Sequence, residues 1–167
     1  MNNTMESAAH LKPELTSIRR TLHRHPEVGR SLPQTKALVI DKLKEYGYEP
    51  LEICESGISA VINGPKEGKT ILLRADMDAL SIKEKSQLPF ASTNDAMHAC
   101  GHDMHTTMLL GAAKLLRQYQ DEIKGTVKLV FQPGFLTPQS PESLARLIFL
   151  RQIEFYVLRT TVLCCII

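Results

Sequence analysis

Two short β-rich runs with a long helical stretch between them constrain this chain most. Thr70-Ile71-Leu72-Leu73 has no polar alternation, the pattern of a strand covered on both faces. Thr126-Val127-Lys128-Leu129-Val130-Phe131 is a second run of strand-favouring residues. Between them lie a polar loop, Ala79 to Ala99, and a helical stretch from about Asp103 to Tyr119. Met108, Leu109, Ala112, Leu115 and Leu116 give that stretch its apolar face. Strand, loop, helix, strand is a crossover unit, so the predicted fold class is α/β, with helices covering a mostly parallel central sheet.

The preceding residues supply the covering elements. Leu11, Leu15, Ile18 and Leu22 recur at helical spacing, and that helix should stop near His25-Pro26, because the residue before a proline resists helical geometry. Pro33 can open a second helix that Gly47 terminates. Ile58 to Ile62 reads as a strand, and Asn63-Gly64-Pro65 as a turn.

In sheets of this kind chemistry collects at the carboxyl ends of strands. Asp76 and Asp78 end the first run, Gln132-Pro133 ends the second, and Cys100 and His102 stand just before the crossover helix. The three segments are expected to converge. Cys100-x-His102 puts a thiolate and an imidazole at a spacing that zinc and similar divalent ions accept. The same pair also suits a buried thiol beside a hydrogen-bonded imidazole, or a cysteine nucleophile with a histidine base. His98 and His105 flank it, so half of the six histidines fall within eight residues. A carboxylate such as Asp76 can orient a ligand histidine. Plainer roles are available to the neighbours. Asp103 suits a helix N-cap or first turn, Asp78 a loop-amide acceptor, His23 and His25 a helix end, and Cys54 a small core site.

Composition bounds the partners. A length of 167 residues suffices for one domain, and a net charge of +2 without a basic, aromatic-interleaved run argues against nucleic acid. No run is apolar for the ~18 residues a membrane helix needs, so no membrane partner is expected. Met1 to His10 lacks an apolar leader, and the four cysteines form no spaced framework, so a reducing cytoplasm is the expected compartment.

Four segments, in order, resemble the amidohydrolase branch of the M20 family of metallopeptidases. They are Leu22-His23-Arg24-His25-Pro26-Glu27, Leu73-Arg74-Ala75-Asp76-Met77-Asp78-Ala79-Leu80, Met97-His98-Ala99-Cys100-Gly101-His102-Asp103-Met104-His105-Thr106, and Leu129-Val130-Phe131-Gln132-Pro133. The resemblance implies part of a three-layer α/β/α zinc-peptidase-like catalytic domain. It implies a divalent-metal cofactor, zinc or manganese first and cobalt or nickel next, with Cys100 and His102 as ligands. Asp76 is then the active-site aspartate, and Arg74 stands where other branches place a ligand histidine. The implied substrate is a small N-acyl amino acid whose amide bond is hydrolysed.

After the Phe-Gln-Pro segment the family continues with a Glu-Glu pair, base and ligand, whereas this chain reads Gly134-Phe135. All eleven lysines precede Gly134, and four of the nine aromatics follow Pro133, so composition changes at the same point. The expected organisation is therefore residues 1–133 as catalytic-domain sequence and 134–167 as a divergent tail, such as a frameshift would leave. No counterpart of the family's dimerisation domain is expected, and activity is expected to be impaired. The alternative is a non-catalytic binding or regulatory chain.

Overall fold

The structure, a computed structural model, describes residues 4–134. Apart from Gly134, the predicted tail, with Glu142, Cys164 and Cys165, lies outside the described residues.

Helix α1, Thr4–His10, falls in a segment the sequence left without structure. Helix α2, Lys12–Arg24, buries Ile18 and Leu22 at the predicted spacing. Helix α3, Pro33–Glu45, starts on its proline and ends before Gly47, whose φ is 83°. The carboxylate of Glu27 accepts the amides of Gln34 and Thr35 at 3.1 and 2.8 Å. It caps the otherwise unpaired first turn of α3, a role a side chain plays from outside a helix when none caps from within. The Pro26-Glu27 dipeptide thus ends one helix and caps the next.

Strands β1 (Leu51–Glu52), β2 (Ile58–Asn63), β3 (Lys66–Asp76) and β4 (Lys124–Gln132) form one sheet in the order β1-β2-β4-β3. Helix α4, His102–Gln118, is the crossover between β3 and β4. These two strands run parallel, with Asp76 opposite Gln132, whereas β2–β4 and β1–β2 are antiparallel. The sheet is mixed rather than mostly parallel. The cause is the short connection at Gly64-Pro65, which reverses the chain between β2 and β3. Once β4 enters between two opposed strands, it must be parallel to one and antiparallel to the other.

That connection wraps closely around the start of β4. The Gly64 amide donates to the Gly125 carbonyl at 2.8 Å, and Gly125 itself has a φ of 90°. A Cβ on Gly125 would stand 2.1 Å from the Lys69 carbonyl oxygen, so neither the dihedral nor the space admits a side chain.

The core lies between the helices and one sheet face. Val39, Leu43, Leu109, Leu110 and Ala113 pack against Ile58, Ala60, Ile62, Leu129 and Phe131. Each fully buried Leu, Ile or Phe contributes about 1.5–3 kcal/mol of transfer free energy. β4, flanked on both sides, carries the deepest residues, and Leu129 and Phe131 are wholly inaccessible. The Thr70–Leu73 run is not covered on both faces as its composition suggested. Among the described residues β3 is an edge strand, and Ile71 is 41% exposed. Cys54, expected in the core, is exposed on the approach to β2.

Candidate metal centre

β3 and β4 end side by side, and the Met77 amide donates to the Gln132 carbonyl at 2.9 Å. The Thr106 hydroxyl, in the first turns of α4, donates to the Asp76 carbonyl at 3.1 Å. This bond ties the helix start to the strand end. Gly101 precedes the helix with a left-handed φ of 76°, so the chain turns sharply between the exposed Cys100 and His102. The three predicted segments do converge, and the convergence is built from backbone as much as from side chains.

His102 is the best-held side chain there. Its Nδ1 lies 2.8 Å from the Asp78 carbonyl oxygen and 3.0 Å from Asp78 Oδ1. A carbonyl oxygen only accepts, so Nδ1 carries the hydrogen and Nε2 keeps its lone pair in the neutral ring. The hydrogen bond to the Asp78 carboxylate raises the His102 pKa, against the opposing effect of burial. For Asp78, burial pushes upward, but the bond from His102 and backbone amides, that of Gly134 among them, outweigh it and lower the pKa. The carboxylate that orients this histidine is therefore Asp78, for which the sequence suggested loop amides, and not Asp76.

Asp76 lies in the same cluster. Its Oδ1 accepts from the Arg74 guanidinium at 2.5 Å. Donor atoms of Asp76, His102 and His105 all lie within 4.8 Å of one another. His105, one helical turn beyond His102, stacks on it with ring centroids 5.5 Å apart. Cys100 is not a member of this group.

Asp103 caps nothing with its side chain. It is buried and accepts from His23 Nδ1 at 2.8 Å and Arg19 Nε at 3.3 Å, locking α4 to α2. His23, expected near the surface at a helix end, is buried between Asp103 and Glu84, the latter 3.2 Å from Nε2. The loop from Ala79 to Ala99 is thereby pinned to α2, and paired Leu80–Met97 amides close it into a tight excursion. His98, in the closing limb, is 5% exposed, and neither ring nitrogen has a hydrogen-bond partner among the described residues. Burial pushes its pKa down to about 4, so it is a neutral imidazole near neutral pH. Nothing in the local sequence set His98 apart from its neighbours, because burial separates it and burial is a tertiary property.

The α/β crossover brings carboxylates and imidazoles to adjacent strand ends, a donor set of the kind that holds divalent metal ions. Residues 72–134 match the model of Peptidase family M20/M25/M40. The chain is 48% identical over 127 residues to N-acetyl-L-cysteine deacetylase of Bacillus subtilis, covering 74% of this chain and 30% of that protein. It is 44% identical over 134 residues to hippurate hydrolase of Campylobacter jejuni, covering 79% and 34%. A dinuclear metal binding M20 peptidase of Bacillus subtilis superposes with a TM-score of 0.79 at 36% identity, covering 89% of this chain and 41% of that one. A putative aminohydrolase from methicillin-resistant Staphylococcus aureus gives 0.83 at 34% identity, covering 92% and 40%. Over these residues the chain is similar to the M20 family of peptidases, and it spans about a third of the length of the curated relatives it matches. No helix among the described residues is long and apolar enough to cross a membrane.

Proposed function

We infer that this chain is part of a divalent-metal-dependent hydrolase acting on the amide bond of N-acyl amino acids. The observation that carries this reading is His102, fixed by Asp78 with its second nitrogen unpaired among the described residues, at the mouth shared by β3 and β4. The donor set, imidazole with carboxylate, suits zinc, manganese, cobalt or nickel. His102 and Cys100 are the ligands proposed from the sequence, and Asp76 supports the cluster from the end of β3. When bound, the ion polarises an amide carbonyl and makes water acidic enough to ionise near neutral pH. The chain's own residues do the positioning. Asp78 fixes the ring plane of His102, and the Thr106 bond holds the Asp76 backbone against α4. The names and shared sequence of the deacetylase and hippurate hydrolase support a small N-acyl amino acid as substrate.

A second reading, a chain that binds metal but turns over little substrate, is favoured by Gly134. A Cβ built there would stand 3.2 Å from Asp78 Oδ2, so a side chain at this position projects at the centre, yet it carries no carboxylate. A base of suitable reach is what proton transfer from water requires. The test is release of the free acid from N-acetyl and N-benzoyl amino acids by the zinc- or manganese-loaded 167-residue chain. It is run beside the double variant Gly134→Glu, Phe135→Glu. Chelator-sensitive hydrolysis by the unaltered chain supports the first reading. Metal binding without turnover, with turnover appearing only in the double variant, supports the second. Absence of metal binding in both proteins refutes both.

A further inference from the structure

We propose that residues 81–96 form a flap that opens from α2 as a unit, hinged at the Leu80–Met97 neck, and that the closed flap keeps His98 buried at a cost which opening relieves. The flap stands apart from the metal centre, because it covers the joint between α2 and α4.

Three observations carry this. The first is the neck. Leu80 and Met97 exchange both amide bonds at 3.0 Å, so the segment leaves and returns at one point. The second is the way the segment is fastened. Nε2 of the buried His23 lies 3.2 Å from Glu84 Oε1, and the other Glu84 oxygen accepts the Ser92 amide at 2.6 Å. One buried carboxylate thus ties the outgoing and the returning limb to α2. The Arg24 carbonyl accepts from the Thr93 amide and hydroxyl at 3.0 and 2.9 Å. The Pro26 carbonyl accepts from Asn94 Nδ2 at 2.9 Å, and the Arg24 guanidinium donates to the Pro89 carbonyl at 2.6 Å. Apolar fastening is slight. No residue from 81 to 96 joins the main core, and Ile82 and Leu88 are half exposed. Phe90 adds a ring contact, edge-on to His23 with centroids 5.5 Å apart. A segment held mainly by polar bonds near the surface opens at a lower free energy than the core does.

The third observation is His98. It stands one residue beyond the neck, buried, with neither ring nitrogen paired among the described residues. Its ring lies 6.4 Å from that of His23, which Glu84 and Phe90 of the flap cover in turn. A buried imidazole without partners forfeits the hydrogen bonds it makes in water. The closed flap therefore carries a penalty that works against its clasp, and an open flap hydrates His98 and removes it. Clasp and penalty together make a two-state cover.

The test is amide hydrogen exchange of the 167-residue chain, with histidine acylation by diethyl pyrocarbonate mapped residue by residue. Thr93 is the reporter, because its amide bonds Arg24 and not Glu84. It should exchange about a hundredfold or more faster than Leu129 and Phe131 on the central strand, and His98 should be acylated while those amides stay protected. Glu84→Ala should speed Thr93 exchange by about tenfold and leave β4 unchanged. His98→Leu should slow it by about tenfold, since the enclosed side chain no longer lacks partners. A loop for which His98 is mere packing would be loosened by that change or left as it was. Thr93 exchanging as slowly as β4 overturns the flap. Glu84→Ala that speeds Thr93 and β4 equally overturns the local opening. An unchanged or raised Thr93 rate in His98→Leu, with β4 still protected, overturns the role given to His98. Should a variant not fold, the Thr93 rate and His98 acylation of the unaltered chain decide.

Discussion

Replacing Asp78 by asparagine removes the charge that holds His102 while keeping the shape. Partners that orient a ligand histidine are worth about 10–100-fold in metal affinity, or roughly 1.4–2.7 kcal/mol. The geometry places this case at the lower end. His102 Nδ1 has two acceptors on the same residue, the carbonyl at 2.8 Å and the carboxylate at 3.0 Å, and the substitution keeps the carbonyl. The tautomer is therefore retained, and what is lost is the electrostatic support of a charged acceptor. A fall in zinc affinity of about tenfold, about 1.4 kcal/mol, is expected for Asp78→Asn. The assay is competition with a chromophoric chelator at fixed pH and salt, with His102→Ala as the full-loss reference. Affinity equal to that of the unaltered chain would mean that the carboxylate plays no part in orienting His102. A loss as large as that of His102→Ala would mean that Asp78 is itself a ligand. Either outcome refutes the assignment.

Phe131→Ala empties a wholly inaccessible site on the central strand and should cost about 3–5 kcal/mol, read from the urea midpoint at constant slope. Gly125→Ala should destabilise by well over the ~1–2 kcal/mol of a left-handed residue, because its Cβ meets the Lys69 carbonyl. Gly29→Ala, with φ of 85° and open space around it, should cost that dihedral penalty alone, and equal losses at the two sites would refute the steric account. Glu14 is pushed up by burial but held below its ordinary value by hydrogen bonds from Lys114 and Tyr46, at 2.5 and 2.8 Å. A depressed folded-state pKa means stability that is present above 4.5 and lost as the pH falls through the lower folded value. Glu14→Gln should thus cost about 0.5–1 kcal/mol at pH 7, since the group is partly exposed, and nothing in acid. A denaturation series from pH 7 to pH 2 reads the convergence of the two proteins.

The site was legible in the sequence as a set of places and much less as a set of contacts. Asp76, His102 and Gln132 could be placed together because each follows or precedes a recognisable strand or helix, and strand ends in a crossover unit face one way. Which aspartate holds His102 could not be read, since Asp76 and Asp78 lie two residues apart. The separation at β3's end is decided by where the strand stops and the loop turns under the ring. Asp103 misled for a similar reason. Its position in a first helical turn is real, but the donors it answers belong to Arg19 and His23 of another helix, 84 and 80 residues away.

Local pattern sufficed for α2, α3, α4, β2, β3 and β4, because amphipathic spacing, proline and glycine act over a few residues. It also sufficed for the family, whose four segments are contiguous words. Strand direction was decided only in three dimensions. The Gly64-Pro65 reversal could be read as a turn, but its consequence, a mixed sheet, required knowing that β4 enters between the strands it joins. Burial divided the histidines in the same way. His23 and His98 went inside, and His102 and His105 stayed half open at the strand ends, because packing against α2 and the returning loop encloses the first pair only.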